Sequence, residues 1–203
     1  AGMEEDDEHR YIARYMSFKG YHSEINMLDE LITTRVTSHI ALRDVADAIN
    51  IDSVVNAIKL ANNTLLRAGN SRPRIGLAAL NPHAGDNGNF GTEEIDILAP
   101  AILHARELQI DVDGPWPSDT VFLRGRDGKL DAVVTMYHDQ GQIAMKMMGF
   151  DRGVTIAAGL PMPIATPAHG TAFDIAGLGV ARLNAMRKAF EVLCRMCANS
   201  REH

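Results

Sequence analysis

The sequence predicts an α/β fold, a mainly parallel sheet flanked by helices. Two kinds of segment alternate along the chain: short β-branched or apolar runs, and longer stretches with apolar residues three or four apart. Several of the short runs are apolar on both faces, the signature of strands covered by helices on each side. Glycines and capping residues fall between the two kinds of segment.

Residues 1–19 form a charged arm (Glu4, Glu5, Asp6, Asp7, Glu8, then His9 and Arg10) with no clean apolar period, expected as a solvated segment or a frayed helix. The ordered α/β region runs from 20 to 203. Ile32 to Ser38 is β-branched and reads as a strand. Asn50 or Asp52 can cap a helix whose apolar face is Ile51, Val54, Val55, Ile58, Ala61 and Leu65, with Gly69 just past its end. Arg74 to Leu80 is a second strand, followed by the glycine-rich loop Asn81 to Gly91. Thr92 then caps a helix opening on Glu93, Glu94 and Asp96, acids suited to the positive helix end. Pro115 and Pro117 break the chain around Trp116. Ala132 to Tyr137 is a third strand and Gly153 to Gly159 a fourth. A last helix aligns Leu183, Met186, Phe190, Leu193 and Cys197 on one expected inward stripe, and methionines such as Met145, Met147 and Met148 read as core filler.

Composition narrows the functional classes. Lys and Arg number 20 against 26 Asp and Glu, a net charge of −6, with no dense basic block, so no nucleic-acid partner is expected. No apolar run reaches the roughly 18–20 residues that span a bilayer, and no signal-peptide core opens the chain. The two cysteines, Cys194 and Cys197, are too few for a disulfide framework, and their C-x-x-C spacing on an amphipathic helix reads as packing. A cytoplasmic enzyme, or part of one, is the expectation.

Three histidines occupy equivalent places. His39 follows the first strand, His83 the second and His138 the third. Ligands of open α/β sheets bind beyond the carboxyl ends of the strands, so these imidazoles could form the three-ligand open site of a catalytic divalent metal. Asp44, Asp86 and Asp139 are near enough in sequence to orient their rings. The alternative is that each histidine only ends a strand or bonds a loop. The segments Asn81 to Gly91 and His169 to Gly179 suit close approach to a phosphate or carboxylate, or are simply tight connections.

Leu80-Asn81-Pro82-His83-Ala84-Gly85, Gly91-Thr92-Glu93-Glu94-Ile95-Asp96, Met136-Tyr137-His138-Asp139-Gln140-Gly141 and His169-Gly170-Thr171-Ala172, in this order, closely resemble the 4-hydroxythreonine-4-phosphate dehydrogenase family. The resemblance runs from about Ile32 to the C-terminus. It implies an isocitrate/isopropylmalate dehydrogenase-like fold and a role in pyridoxine biosynthesis. The implied reaction is NAD-dependent oxidation of a secondary alcohol beta to a carboxylate, with metal-assisted decarboxylation. It further implies a divalent ion (zinc, manganese, magnesium or cobalt) held by His39, His83 and His138, two from one subunit and one, with His138 the candidate, from a homodimer mate. Lys146 matches a substrate-contacting lysine that would neutralise the acid group or donate a proton, and Asp139 joins it as a catalytic residue. His169, Gly170, Thr171 and Asp174 would lie along the cofactor.

The departures are equally specific. The family opens with Gly-Asp-Pro-x-Gly-x-Gly-Pro-Glu in a first half that this chain lacks, a truncation at the N-terminus. Gly20-Tyr21-His22-Ser23-Glu24 is the nearest text to a substrate-contacting Gly-His-Thr. Thr155 stands where the family has a substrate-contacting asparagine, and Ile164 where it has a phosphate-binding arginine. Loss of that guanidinium points away from a phosphorylated substrate, with Arg43 and Arg152 as the candidates to replace it. Relatives that oxidise cis-dihydrodiols of aromatic carboxylates also lack the arginine. A non-catalytic metal-binding or dimerisation fragment is the competing expectation.

Overall fold

The computed structural model describes residues 5, 7–29, 31–149 and 152–199, so Glu4 and Asp6 of the charged arm lie outside it. Its elements are α1 (Glu8–Tyr15), β1 (Ser23–Leu28), β2 (Leu31–Arg35), α2 (Val45–Ala48), α3 (Ile51–Arg67), β3 (Ile75–Ala78), α4 (Ala99–Glu107), β4 (Val112–Trp116), α5 (Val121–Arg126), β5 (Ala132–Thr135), α6 (His138–Gly149), β6 (Val154–Ala158), β7 (Ile164–Pro167) and α7 (Asn184–Asn199). The seven strands form one sheet in the order β4-β3-β5-β2-β1-β6-β7. Pairings from β4 to β2 are parallel, and those from β2 through β1 and β6 to β7 are antiparallel. Five strands therefore run the same way, with β1 and β7 reversed, and the expected α/β class with a mainly parallel sheet is what the chain adopts.

Strand period two divides the core between the faces. Ile75, Leu77, Ala132 and Val134 join α3, α4 and α7 in the larger apolar cluster, while Ala78 and Val133 face Val121, Phe122 and Met145 on the other side. Helix α3 begins where Asn50 and Ser53 satisfy each other's backbone N–H in a capping box, so Asn50 rather than Asp52 is the cap. Gly69 follows its C-terminus at φ +97°, the left-handed C′ position. The charged arm is more ordered than its composition suggests. Asp7 accepts from the Arg10 backbone N–H at 2.9 Å to start α1, and Ala13 is buried.

Several expectations need correction. Val112–Trp116 is a strand despite Pro115. It lies at the sheet edge, where a missing N–H costs no ladder bond. Strands β1 and β7 carry too little apolar signal to be read from sequence. The predicted stripe of the last helix faces outward: Leu183, Met186 and Phe190 are about 60% exposed. Ala185, Ala189, Val192 and Met196 are buried instead, small residues that let α7 lie close on β6 and β7. Met147 is also exposed, whereas Met145 is core. Cys194 and Cys197 are free and exposed, so packing does not explain them.

A buried polar network joins the two halves of the sheet. The Arg35 guanidinium, 3% exposed, sits 3.0 Å from the Glu24 carboxylate and donates to Asn26 Oδ1 at 3.0 Å and Ser38 Oγ at 3.1 Å. Asn26 donates to Glu24 and to Thr155 Oγ1, and accepts from Gln142 of α6. Burial alone would raise the Glu24 pKa. The Arg35 charge and the hydrogen bonds from Asn26 and Arg35 outweigh it and hold the carboxyl below its ordinary value. Arg35→Met should therefore cost about 3 kcal/mol in urea titrations at neutral pH, since it strands a largely buried carboxylate. A depressed carboxylate contributes stability above its unfolded pKa and loses it as pH falls through the folded one. The wild type should lose stability across that acidic window, and the variant should lose less.

Candidate active site

The parallel half of the sheet brings three candidate ligands to one rim. Adjacent strands β3, β5 and β2 end at the same edge, and the chain leaves them toward His83, His138 and His39 respectively. Pairing continues past the formal end of β2, with Val36 and Thr37 N–H donating to Thr135 and Met136 carbonyls. His39 and His138 thus line one cavity of about 360 Å³ with Ser38, Tyr137 and Asp139, their ring centroids 5.9 Å apart. His138 opens α6, and its Nδ1 lies 2.7 Å from Asp139 Oδ1. A proton held on Nδ1 against that carboxylate makes Nε2 the ring nitrogen that can accept a ligand.

His83 does not join this pair. It lies in a turn (Pro82–Gly88) where His83, Ala84, Gly85, Asp86 and Asn87 all take left-handed backbone, and its ring packs beside Phe90 at 6.1 Å. Four of these are not glycine, at a cost of roughly 1–2 kcal/mol each. Gly85 is needed for a second reason: a Cβ there would lie 2.7 Å from Glu94 Oε2. Among the described residues, no three histidine, cysteine or acidic side chains are grouped to hold a metal.

The expected carboxylate partners divide. Asp139 orients His138, but Asp44 lies beside Arg43, and Asp86 accepts from Asn89 rather than from His83. The carboxylate nearest His39 is instead Asp7, with Oδ2 3.6 Å from Nδ1. Burial holds the neighbouring His9 below the usual imidazole range, against the raising effect of Asp7 and Glu24.

Lys146 and Thr155 lie in separate places. Lys146 is exposed two turns along α6 and lines a small cavity with Asn26 and Gln142. Thr155 and Ile164 border a cavity of about 120 Å³ with Asp7, Glu8, His9 and Glu24, and no lysine or arginine lines it among the described residues. Arg152 faces Asp29 and Arg43 faces Asp44, so neither supplies the missing guanidinium there. His169, Gly170, Thr171 and Asp174 are all exposed along one loop, and His169 Nδ1 contacts the Gly170 carbonyl.

Two residues that sequence reasoning passed over as site elements brace the rim. Gln140 Oε1 accepts from Met136 N–H at 2.7 Å and its Nε2 donates to the Ala79 carbonyl at 2.8 Å, tying β5 to β3. Glu94, 4% exposed, receives the N–H groups of Leu80 and Asn81. The far side of the rim is closed by Trp116, whose carbonyl accepts from Ala79 N–H at 2.8 Å and whose ring lies 3.9 Å from the Arg124 guanidinium.

Known proteins share this arrangement of sequence and fold. The chain is 58% identical over 198 residues to "Putative 4-hydroxythreonine-4-phosphate dehydrogenase 2" of Pseudomonas aeruginosa, covering 97% of itself and 59% of that protein. It is 47% identical over 168 residues to D-threonate 4-phosphate dehydrogenase of Salmonella typhimurium, covering 83% of itself and 51% of the relative. The crystal structure of a 4-hydroxythreonine-4-phosphate dehydrogenase from Klebsiella pneumoniae superposes with a TM-score of 0.81 at 40% identity, over 98% of this chain and 59% of that one. The chain thus spans between half and three-fifths of the length of these relatives. The match to the family described as pyridoxal phosphate biosynthetic protein PdxA extends over residues 1–193, so it takes in the charged arm as well as the region from Ile32 onward, and the chain belongs to that family.

Proposed function

We propose that this chain carries the metal-binding part of a dehydrogenase acting on a secondary alcohol beside a carboxylate, with decarboxylation of the product. The observation that supports it most is the approach of His39 and His138 to 5.9 Å at the ends of adjacent parallel strands. Two imidazoles at that separation suit neighbouring corners of a tetrahedral or octahedral ion. With these two rings near each other in one chain, the ligand from a second copy across a two-fold interface would be His83 rather than His138.

When bound, a divalent ion supplies Lewis-acid polarisation of the substrate hydroxyl and a carboxylate oxygen. His39 and His138 would hold it through the ring nitrogens facing the cavity, and Asp139 would keep the His138 proton on Nδ1. Lys146 would meet an acid group approaching along α6. The NAD expectation rests on resemblance. His169, Gly170, Thr171 and Asp174, all exposed, would lie along that cofactor, and no step is assigned to them.

For the substrate, the relatives' names suggest a phosphorylated hydroxy acid, namely 4-hydroxythreonine 4-phosphate or D-threonate 4-phosphate. The cavity at Thr155 and Ile164 argues for weak phosphate binding, because its charged lining is mainly acidic. Loss of the arginine fork should lower kcat/KM for the phosphorylated compound by about one to two orders of magnitude relative to arginine-bearing relatives. Ile164→Arg should recover part of this. Reduced-nicotinamide absorbance with phosphorylated, unphosphorylated and aromatic dihydrodiol acids checks it, and a wild-type preference for the phosphorylated acid would overturn it. Absence of turnover with every candidate, together with no NAD binding by calorimetry, would favour the fragment reading.

The metal site has its own test. His83→Ala should abolish stoichiometric Zn²⁺ or Mn²⁺ uptake with the far-UV spectrum unchanged, and unaltered affinity removes His83 as a ligand. Mixing His83→Ala with His39→Ala chains should regenerate a fraction of the sites in heterodimers. A monomer at micromolar concentration by sizing is the contrary result.

A further inference from the structure

Glu94 is almost fully buried beside the strained turn, and both of its carboxylate oxygens accept hydrogen bonds. Oε1 accepts from the backbone N–H groups of Leu80 and Asn81 at 2.9 and 2.8 Å, and Oε2 accepts from Asn81 Nδ2 at 2.9 Å. Asn81 Nδ2 also donates to Glu93 Oε2 at 2.7 Å. The donors, Leu80 and Asn81, are separated only by Pro82 from the left-handed run that begins at His83. The turn closes on itself through Phe90 N–H donating to the Gly85 carbonyl at 3.1 Å. Glu94 opens a single π-helical turn (Glu94–Leu98) that leads into α4, a local widening that aims its side chain back at the strand end.

We infer that Glu94 is a positioning residue for His83. It does not ligate. Its charge-assisted bonds fix the direction in which the chain leaves β3, and so hold four unfavourable non-glycine conformations and present the imidazole at one place on the rim. This inference rests on the metal reading above, in which His83 is a ligand. Glutamine is the informative replacement: its Oε1 can still accept from the two backbone N–H groups, but its amide would set donors against the Asn81 amide.

The experiment has a metal-free arm and a metal arm. In the metal-free protein, the ring carbon–proton signals of His39, His83 and His138 are followed by NMR in the wild type and in Glu94→Gln. The His83 signal should shift or broaden while His39 and His138 stay in place. A general loss of structure would move all three, and an unmoved His83 signal overturns the inference whatever binds there. In calorimetric titrations with Zn²⁺, Glu94→Gln should weaken binding about tenfold or more, as loss of ligand support commonly does. Wild-type affinity in Glu94→Gln, with uptake lost in His83→Ala, overturns the positioning role alone. Wild-type affinity in His83→Ala overturns the metal reading instead. If Glu94→Gln does not fold, Asn81→Ala removes only the side-chain part of the clamp. It should move the His83 signal in the same selective way, and an unmoved signal there counts against the inference.

Discussion

Backbone pairing of β5 with β3 on one side and β2 on the other holds three parallel strand ends about 10 Å apart from first to last. The site follows from that spacing. Each strand delivers one histidine within a few residues of its end, and the exits differ in stiffness. The β2 exit continues the ladder through Val36 and Thr37, and the β5 exit runs straight into α6. The β3 exit extends its ladder by one bond only, Ala79 N–H to the Trp116 carbonyl, before it turns left-handed, and the Glu94 carboxylate braces it from outside. Gln140 adds the cross-tie, bonding to the Met136 backbone and to the Ala79 carbonyl of the neighbouring strand.

The antiparallel half depends on a different interaction. Arg35 is buried on β2 with its charge against Glu24 of β1, and Asn26 carries the network on to Thr155 of β6 and Gln142 of α6. A buried ion pair contributes little net stability compared with apolar residues of the same volume, but it is unforgiving of a shift in register. A one-residue slip of β1 would turn Glu24 away from Arg35. The same network connects the helix that begins at His138 to the strand bearing Thr155, so the two halves of the site share one set of hydrogen bonds.

Much of this was legible in the sequence wherever burial is apolar and local. The runs in β3, β5 and β6 and the face of α3 contain little but Val, Ile, Leu and Ala. The three histidines could be found because the strand-end rule depends only on chain order. Strand β1 is not legible because Glu24 and Asn26 occupy it as though it were a surface loop, and the partners that satisfy them there, Arg35, Thr155 and Gln142, come from elsewhere in the fold. In α7 the larger apolar residues drew the eye to the outer face, whereas close packing on the sheet required alanines. The bracing roles of Glu94 and Gln140 are not legible because both bond to main-chain groups, whose positions leave no pattern in side-chain chemistry.

Trp116 gives this rim an optical voice. It is the single tryptophan of the chain, and it sits where β4 bonds to the end of β3, under the guanidinium of Arg124. An indole is sensitive to a cation lying on its face and to movement of the backbone to which it is bonded. Its emission therefore comes from one known place, next to the strained turn, with no second indole to average over. The fold has in effect installed its own fluorophore at the edge of the cleft, and events at that edge can be followed in real time without a label.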